Sequence, residues 1–352
     1  MREVSLVILL LIQITSIILV IKNYKFSNSV INTLMLFVFL MIGMRQIGYD
    51  LDTYEMIYNW YAAGLTYRVM EPSISFIASF SSRIGIEYSG FLLIYAFITL
   101  YLLYLINSKI HKKYYFSMIL YIVLFMASGA VVSIRATVAS LAITLGVYYF
   151  GRKKYFSYVF WLFVGILFHY SSIIVLFLTG LLKIKNKSII ILIVVTTSFC
   201  LFLLFPLISD NLGLSQIDRL IGYLNKNSYE NYNSAVVVQQ LRIFIIVISS
   251  LYILYAIKDN INTNHSIELV FYNIVLISLV FYVVTLISGN LELGKRIYEI
   301  TAIPIIFLIS KYKTKKIIYA VVLIGISNLG YLYMGYLSTV DHYTIHIRDI
   351  QP

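Results

Sequence analysis

Apolar runs close to membrane-spanning length fill this chain, and lysines crowd every second connection between them. A span needs about 20 apolar residues. In lipid such a run has to satisfy its backbone polar groups internally, which an α-helix does. The runs predict helices near 4–21, 30–44, 88–106, 114–127, 131–150, 155–169, 171–182, 188–208, 235–257, 267–288, 297–310 and 317–337. The expected fold is therefore an all-α polytopic membrane protein with about 12 transmembrane helices. Composition agrees: 61% of residues are hydrophobic and 12% charged, where a soluble domain carries about 25% charged residues. The chain reads as one transmembrane domain, 1–352, without a sizeable soluble appendage. Its first apolar run ends in "KNYK" with no small-residue cleavage site, so it reads as a retained helix rather than a signal peptide.

Orientation follows from the lysines. "KNYK", "NSKIHKK", "GRKK", "KIKNK", "IKDN" and "KYKTKK" occupy alternate connections, which is the positive-inside pattern. These six loops are expected to be cytoplasmic and both termini outside. The net charge of +12 belongs to these loops and gives no support for nucleic-acid binding. Arginines are distributed the other way. The lysine loops hold 15 of the 17 lysines but only Arg152 among the ten arginines, and 13 of the 15 acids also lie on the outer side. Topology does not require this, so the outer face is where chemistry is expected.

Two outer segments are long. Residues 45–87 contain "DLDTYEMIYNWYAAG" and "EPSISFIASFSSRIG", expected to form amphipathic or re-entrant helices at the outer interface. Residues 209–234 form an outer loop rich in Asn, Ser and Tyr, suited to a lid or a sugar-contacting surface. The single cysteine, Cys200, cannot form an internal disulfide, and no Cys/His cluster suggests a metal.

Arg135 stands in "GAVVSIRATVASLAI" with no acid within ten residues on either side. A guanidinium at a bilayer centre costs about 2.5–3.5 kcal/mol by insertion scales. Its small and hydroxylated neighbours suggest a polar cavity, though snorkelling to outer headgroups is the simpler alternative. Arg45 closes the second helix and is followed by Asp50, Asp52 and Tyr54. A carboxylate there can act as general base or orient a sugar hydroxyl, or simply pair with Arg45. Glu71 precedes Pro72, where capping explains an acid as well as acceptor binding does. His169, in "FHYSS", can serve as base, proton relay or phosphate ligand, or be structural. Ser171 and Ser172 suit caps of the next helix. Arg242 lies inside the ninth helix. Arg296, with Tyr298 and Glu299 following, begins the eleventh and can pair with Glu299 at i,i+3. Arg45, Arg135, Arg242 and Arg296 come from four helices at similar outer depth. Arginine binds phosphate bidentately, and a departing diphosphate needs a clamp that strengthens as its charge develops. No Walker glycine loop or HExxH occurs. "DLD" lies outside, where nucleotide sugars are absent, so a donor there should be lipid-linked.

The segments "R45-Q-I-G-Y-D50-L-D-T-Y54", "E71-P72", "S133-I-R135" and "F168-H169-x-S171-S172" occur in an order that resembles the EpsG-like branch of bacterial polysaccharide polymerases, relatives of the Wzy-type O-antigen polymerases. The resemblance covers about residues 35–175. It implies a GT-C-like helical bundle in the bacterial inner membrane, working on the periplasmic or extracellular side without metal, nucleotide or other cofactor. Its substrates are oligosaccharide repeats carried on undecaprenyl diphosphate, and a chain-length regulator protein is a further partner it admits. One chain leaves its lipid diphosphate for a sugar hydroxyl of another unit. On this reading Arg45, Arg135, Arg242 and Arg296 hold diphosphate. His169, Asp50, Asp52 and Arg135 carry the chemistry, and Tyr54, Glu71 and Tyr298 meet the acceptor. A glutamine often follows the family's motif arginine, whereas Ala136 stands here. A ligase to lipid A core needs the same clamp. A flippase of an anionic lipid-linked sugar needs cations along its whole path, and here they lie on one side.

Overall fold

Long apolar runs dictate helices, and among the described residues no strand interrupts them. A computed structural model of the chain describes residues 2–22, 28–46, 51–65, 71–110, 115–212, 234–261, 266–287 and 291–349. The first elements are α1 (Arg2–Lys22), α2 (Asn28–Gly43), α3 (Leu51–Ala62), α4 (Pro72–Arg83) and α5 (Tyr88–Ile110). Helix α6 (Tyr115–Tyr121) runs on as a π-helix (Ile122–Ala130). Then come α7 (Ile134–Gly151), α8 (Tyr155–Phe168) and a short α9 (Ile174–Leu178) between 3-10 turns at Tyr170–Ile173 and Thr179–Leu181. Helices α10 (Lys187–Leu212), α11 (Ser234–Ile257), α12 (Ser266–Ile287), α13 (Leu291–Thr301), α14 (Ile305–Lys311) and α15 (Lys315–Asp349) complete the order.

Five of these helices are long and apolar enough to cross a membrane: α1, α5, α7, most of α12 and residues 315–334 of α15. Six shorter apolar helices accompany them. The stretch 297–310, expected as one helix, is two. Helix α13 ends at Thr301, a turn at Ala302–Pro304 follows, and α14 starts after it. Pro304 has no N–H to donate and disfavours helical geometry in the residue before it. The expected helix 317–337 is longer, reaching Asp349. The pair 155–182 does turn back on itself. Tyr158 and Thr179 share a hydrogen bond, and Lys183 Nζ donates to Tyr155 Oη at 3.0 Å, so the two arms run antiparallel around His169.

Among the described residues, lysines at the ends of α5, α10, α11 and α14 gather at one end of the bundle. Lys109 packs on Tyr149, and Tyr148 Oη donates to the Lys109 carbonyl at 3.3 Å, joining the ends of α5 and α7. Lys187 Nζ donates to the Lys258 carbonyl at 3.0 Å, joining α10 to the end of α11. Lys311 pairs with Glu268, one of the two acids on this side. At the opposite end Tyr336 Oη reaches Glu3 at 3.5 Å, where α15 and α1 run antiparallel.

Helix α7 is the axis of the molecule and is buried along almost its whole length. Small residues let its neighbours approach. A Cβ on Gly165 of α8 would meet the Ala139 carbonyl at 3.4 Å and Ile143 at 2.9 Å. The outer segment 45–87 contributes two 12-residue helices, α3 and α4. At 1.5 Å per residue each is about 18 Å long, too short to span a hydrocarbon core of about 30 Å. Phe76, Phe80 and Ile84 are exposed along one side of α4. Beyond Leu212, the outer loop 209–234 lies outside the described residues until Ser234.

Sidedness is testable in a Cys200→Ser background. A cysteine at Glu87 is expected to react with a membrane-impermeant maleimide on intact cells, and one at Lys154 only after permeabilisation. The reverse pattern contradicts the orientation.

Candidate functional site

The π-helix ends in a turn at Val131–Val132, and α7 begins after Ser133, so "SIR" places Arg135 in the first turn of α7. A cation is disfavoured at a helix N-terminus by the macrodipole. Its compensation comes from far away in sequence. Arg135 Nη1 donates to Glu71 Oε2, and Arg135 Nε donates to Tyr54 Oη at 3.4 Å. The guanidinium carbon lies 5.4 Å from the Tyr54 ring centre.

Glu71 occupies the N-cap position of α4 with Pro72 behind it, in the extended backbone that a residue before proline favours. Its side chain does not cap that helix. Instead the other carboxylate oxygen, Oε1, lies 3.0 Å from His169 Nδ1. His169 ends α8 in extended conformation (φ −155°, ψ 112°) and is buried. His169, not a serine, precedes the next turn, and no side chain caps it, so the expected capping by Ser171 or Ser172 is absent. Burial pushes the Glu71 carboxyl upward. The His169 hydrogen bond and the Arg135 charge outweigh it and hold the group at about 2. An ionised Glu71 only accepts, so Nδ1 carries the imidazole proton and Nε2 is left as the basic nitrogen.

A second cluster lies against α7. Ser133, Ala136 and Thr137 line a cavity of about 60 Å³ together with Ser128 of the π-helix and Arg242, Lys295, Tyr298 and Glu299. Arg242 is buried, and its Nε donates to Asn328 Oδ1 at 2.9 Å. Its guanidinium carbon stacks 4.0 Å from the Tyr331 ring centre. Among the described residues no carboxylate bonds it. Tyr298 Oη and Ser250 Oγ share a hydrogen bond of 3.2 Å.

The expected residues thus fall into two groups and some outliers. Tyr54, Glu71, Arg135 and His169 come together. Arg242 and Tyr298 meet in the cavity. Arg45 is buried at the end of α2, donating from Nη1 to the Ile42 carbonyl at 2.8 Å. Arg296 is half-buried on α13, where Lys295 and Glu299 rather than Arg296 line the cavity. Asp52 is exposed in the first turn of α3, where an acid suits the dipole. Asp50 lies outside the described residues. Arg135 stands seventeen residues from Arg152, Arg242 sixteen from Lys258 and His169 fourteen from Tyr155. These separations correspond to about 26, 24 and 21 Å from the lysine-rich end. Among the described residues no three His, Cys, Asp or Glu side chains cluster as metal ligands would.

Asn328 was not anticipated. A lone amide inside an apolar helix poses the same question as Arg135, and that was the available signal. A comparison with protein families finds that the model described as the EpsG family matches residues 28–345. No curated protein and no solved structure matches the chain.

The Glu71→Gln variant leaves the half-buried Arg135 charged without its partner, an arrangement that costs about 1–3 kcal/mol. The folded-state carboxyl titrates near 2 against an ordinary 4.5. Its contribution is therefore complete above about 4.5 and is lost as pH falls through about 2. Thermal unfolding in detergent should show a gap between wild type and variant that is constant from pH 7 to 5 and narrows below. An undiminished gap at pH 2.5 contradicts this.

Proposed function

The chain belongs to the EpsG family, and on that footing we propose that it is a membrane glycosyltransferase that polymerises lipid-linked oligosaccharides. The donor is an oligosaccharide chain on undecaprenyl diphosphate, and the acceptor is a sugar hydroxyl of another lipid-linked unit. The bundle crosses the bacterial inner membrane about twelve times in a GT-C-like arrangement, with its site facing away from the cytosol.

The observation that carries this reading is the state of Arg242. It is a buried guanidinium that bonds an amide, stacks on an aromatic ring and lines a cavity that Lys295 and Glu299 also line, and no carboxylate among the described residues bonds it. Such a group is prepared to receive an anion. In the proposed reaction the bond between the donor's anomeric carbon and its phosphate oxygen breaks. The diphosphate takes the electron pair, and Arg242 with Lys295 stabilises the charge. The acceptor oxygen bonds to that carbon and releases its proton to His169 Nε2. Glu71, bonded to Nδ1, fixes the imidazole tautomer and stabilises the imidazolium that forms. Arg135 holds Glu71 ionised, and Tyr54 completes the acceptor side. Tyr298 and the hydroxyls of Ser128, Ser133 and Thr137 suit sugar contacts. The two groups flank the first turn of α7, since residues 133, 136 and 137 face the cavity and Arg135 faces Glu71. Arg45, Arg296, Asp50 and Asp52 have a place in this scheme only as further contacts to donor or acceptor.

Purified protein in nanodiscs, supplied with a synthetic diphosphate-linked repeat unit, should yield a ladder of products. Arg242→Gln should lower the rate about 10²–10³-fold, and His169→Ala about 10²–10⁴-fold. A folded wild-type protein that gives no ladder contradicts the proposal. In cells the same loss should leave single repeats attached to lipid. Finished polymer that fails only to reach lipid A core would indicate a ligase, and repeats trapped in the cytoplasmic leaflet a flippase.

A further inference from the structure

Behind Arg242 a chain of uncharged polar contacts passes through three other elements. Asn328, fully buried in α15, accepts from Arg242 Nε through Oδ1. Through Nδ2 it donates to the carbonyls of Val123 at 2.8 Å and Leu124 at 3.2 Å. Gln13, fully buried in the middle of α1, donates from Nε2 to the same Val123 carbonyl at 2.9 Å. Val123 and Leu124 belong to the π-helix, a form that is rare and commonly found at functional sites. Glycine permits this approach. A Cβ on Gly325 of α15 would lie 2.8 Å from Val123 and 2.9 Å from Ile17.

Two physical consequences follow. A guanidinium only donates, so the Arg242 bond requires the Asn328 oxygen to face Arg242 and its NH₂ to face the π-helix. Both polar ends of the amide are then fixed by bonds to separate elements. In addition, each partner on this path is neutral. Arg242 has five N–H donors and gives one to Asn328. The four on its terminal nitrogens make no other hydrogen bond among the described residues, and its full charge is retained. Arg135 differs, because Glu71 offsets its charge. A carboxylate in place of Asn328 would still accept from Arg242 but would cancel its charge, and its second oxygen, unable to donate, would face the Val123 and Leu124 carbonyls without a bond.

We infer that Asn328 is a positioning residue for anion capture: it aims Arg242 at the cavity without neutralising it, and the Val123 and Leu124 carbonyls and Gln13 hold it in place. This rests on the reading of the cavity as a diphosphate site. Its chemistry predicts that replacing the amide by an isosteric carboxylate cancels the charge and removes the binding, with the loss of the bonds to the Val123 and Leu124 carbonyls.

The probe is inorganic pyrophosphate, titrated onto the full chain in nanodiscs by calorimetry at several salt concentrations, alongside thermal unfolding. Wild type should bind, and Arg242→Gln should bind at least tenfold more weakly. Asn328→Asp should unfold at a lower temperature, because its second oxygen cannot donate to the Val123 and Leu124 carbonyls, and should bind at least tenfold more weakly and with a shallower salt dependence. Asn328→Ala keeps the charge but loses the aim, and should also bind several-fold more weakly with the salt dependence of wild type. If Arg242→Gln binds as wild type does, the diphosphate reading of this cavity fails. If Arg242→Gln loses binding while Asn328→Asp or Asn328→Ala, whichever folds, binds as tightly as wild type, the positioning role fails.

Discussion

One carboxylate joins the elements around the first turn of α7. Glu71 accepts from Arg135 in the first turn of α7 and lies against His169 at the end of α8, while its own backbone starts α4. An unpaired guanidinium or carboxylate at this depth would be expelled or neutralised. Together they form a neutral, hydrogen-bonded unit that fixes where α4 meets the bundle. The same bond decides the proton on His169. With Nδ1 committed to Glu71, Nε2 is the basic nitrogen available to a neighbouring hydroxyl.

Half-buried Arg135 and buried Arg242 are therefore in different electrostatic states. Arg135 is balanced by Glu71 and shielded by Tyr54. Arg242 is held by Asn328 and Tyr331, neither of which removes its charge. In a low-dielectric cavity an unbalanced cation attracts an anion far more strongly than it does in water. The division suits the proposed transfer, in which one side of the helix terminus would supply acid–base groups and the other would receive a negatively charged leaving group. The turn at Ala302–Pro304 contributes as well, because α13 ends there and brings Lys295, Tyr298 and Glu299 to the cavity.

Much of the frame was legible in the sequence. Lysine alternation needs only the energetics of membrane insertion, and the lysine-bearing helix ends do gather at one end of the bundle. Arg135 and His169 were conspicuous because a charge or a titratable ring is out of place in an apolar run. Their partner was less so. Glu71 lies 64 residues from Arg135 and 98 from His169, so no local spacing betrays the contact. Pro72 explains where α4 starts, but it says nothing about where the preceding carboxylate points. The π-helix has the composition of any apolar helix. Asn328 carries no charge and so drew no notice, although the same burial argument applies to it. The split of 297–310 was foreshadowed by Pro304, which a hydropathy run passes over.

The most direct measurement is an electron cryo-microscopy structure of the protein in nanodiscs with undecaprenyl diphosphate bound. The account predicts the diphosphate against Arg242 and Lys295 in the cavity, with the Glu71 bonds to Arg135 and His169 intact. A diphosphate seated on Arg135 with Glu71 displaced, and the Arg242 cavity empty, would contradict it.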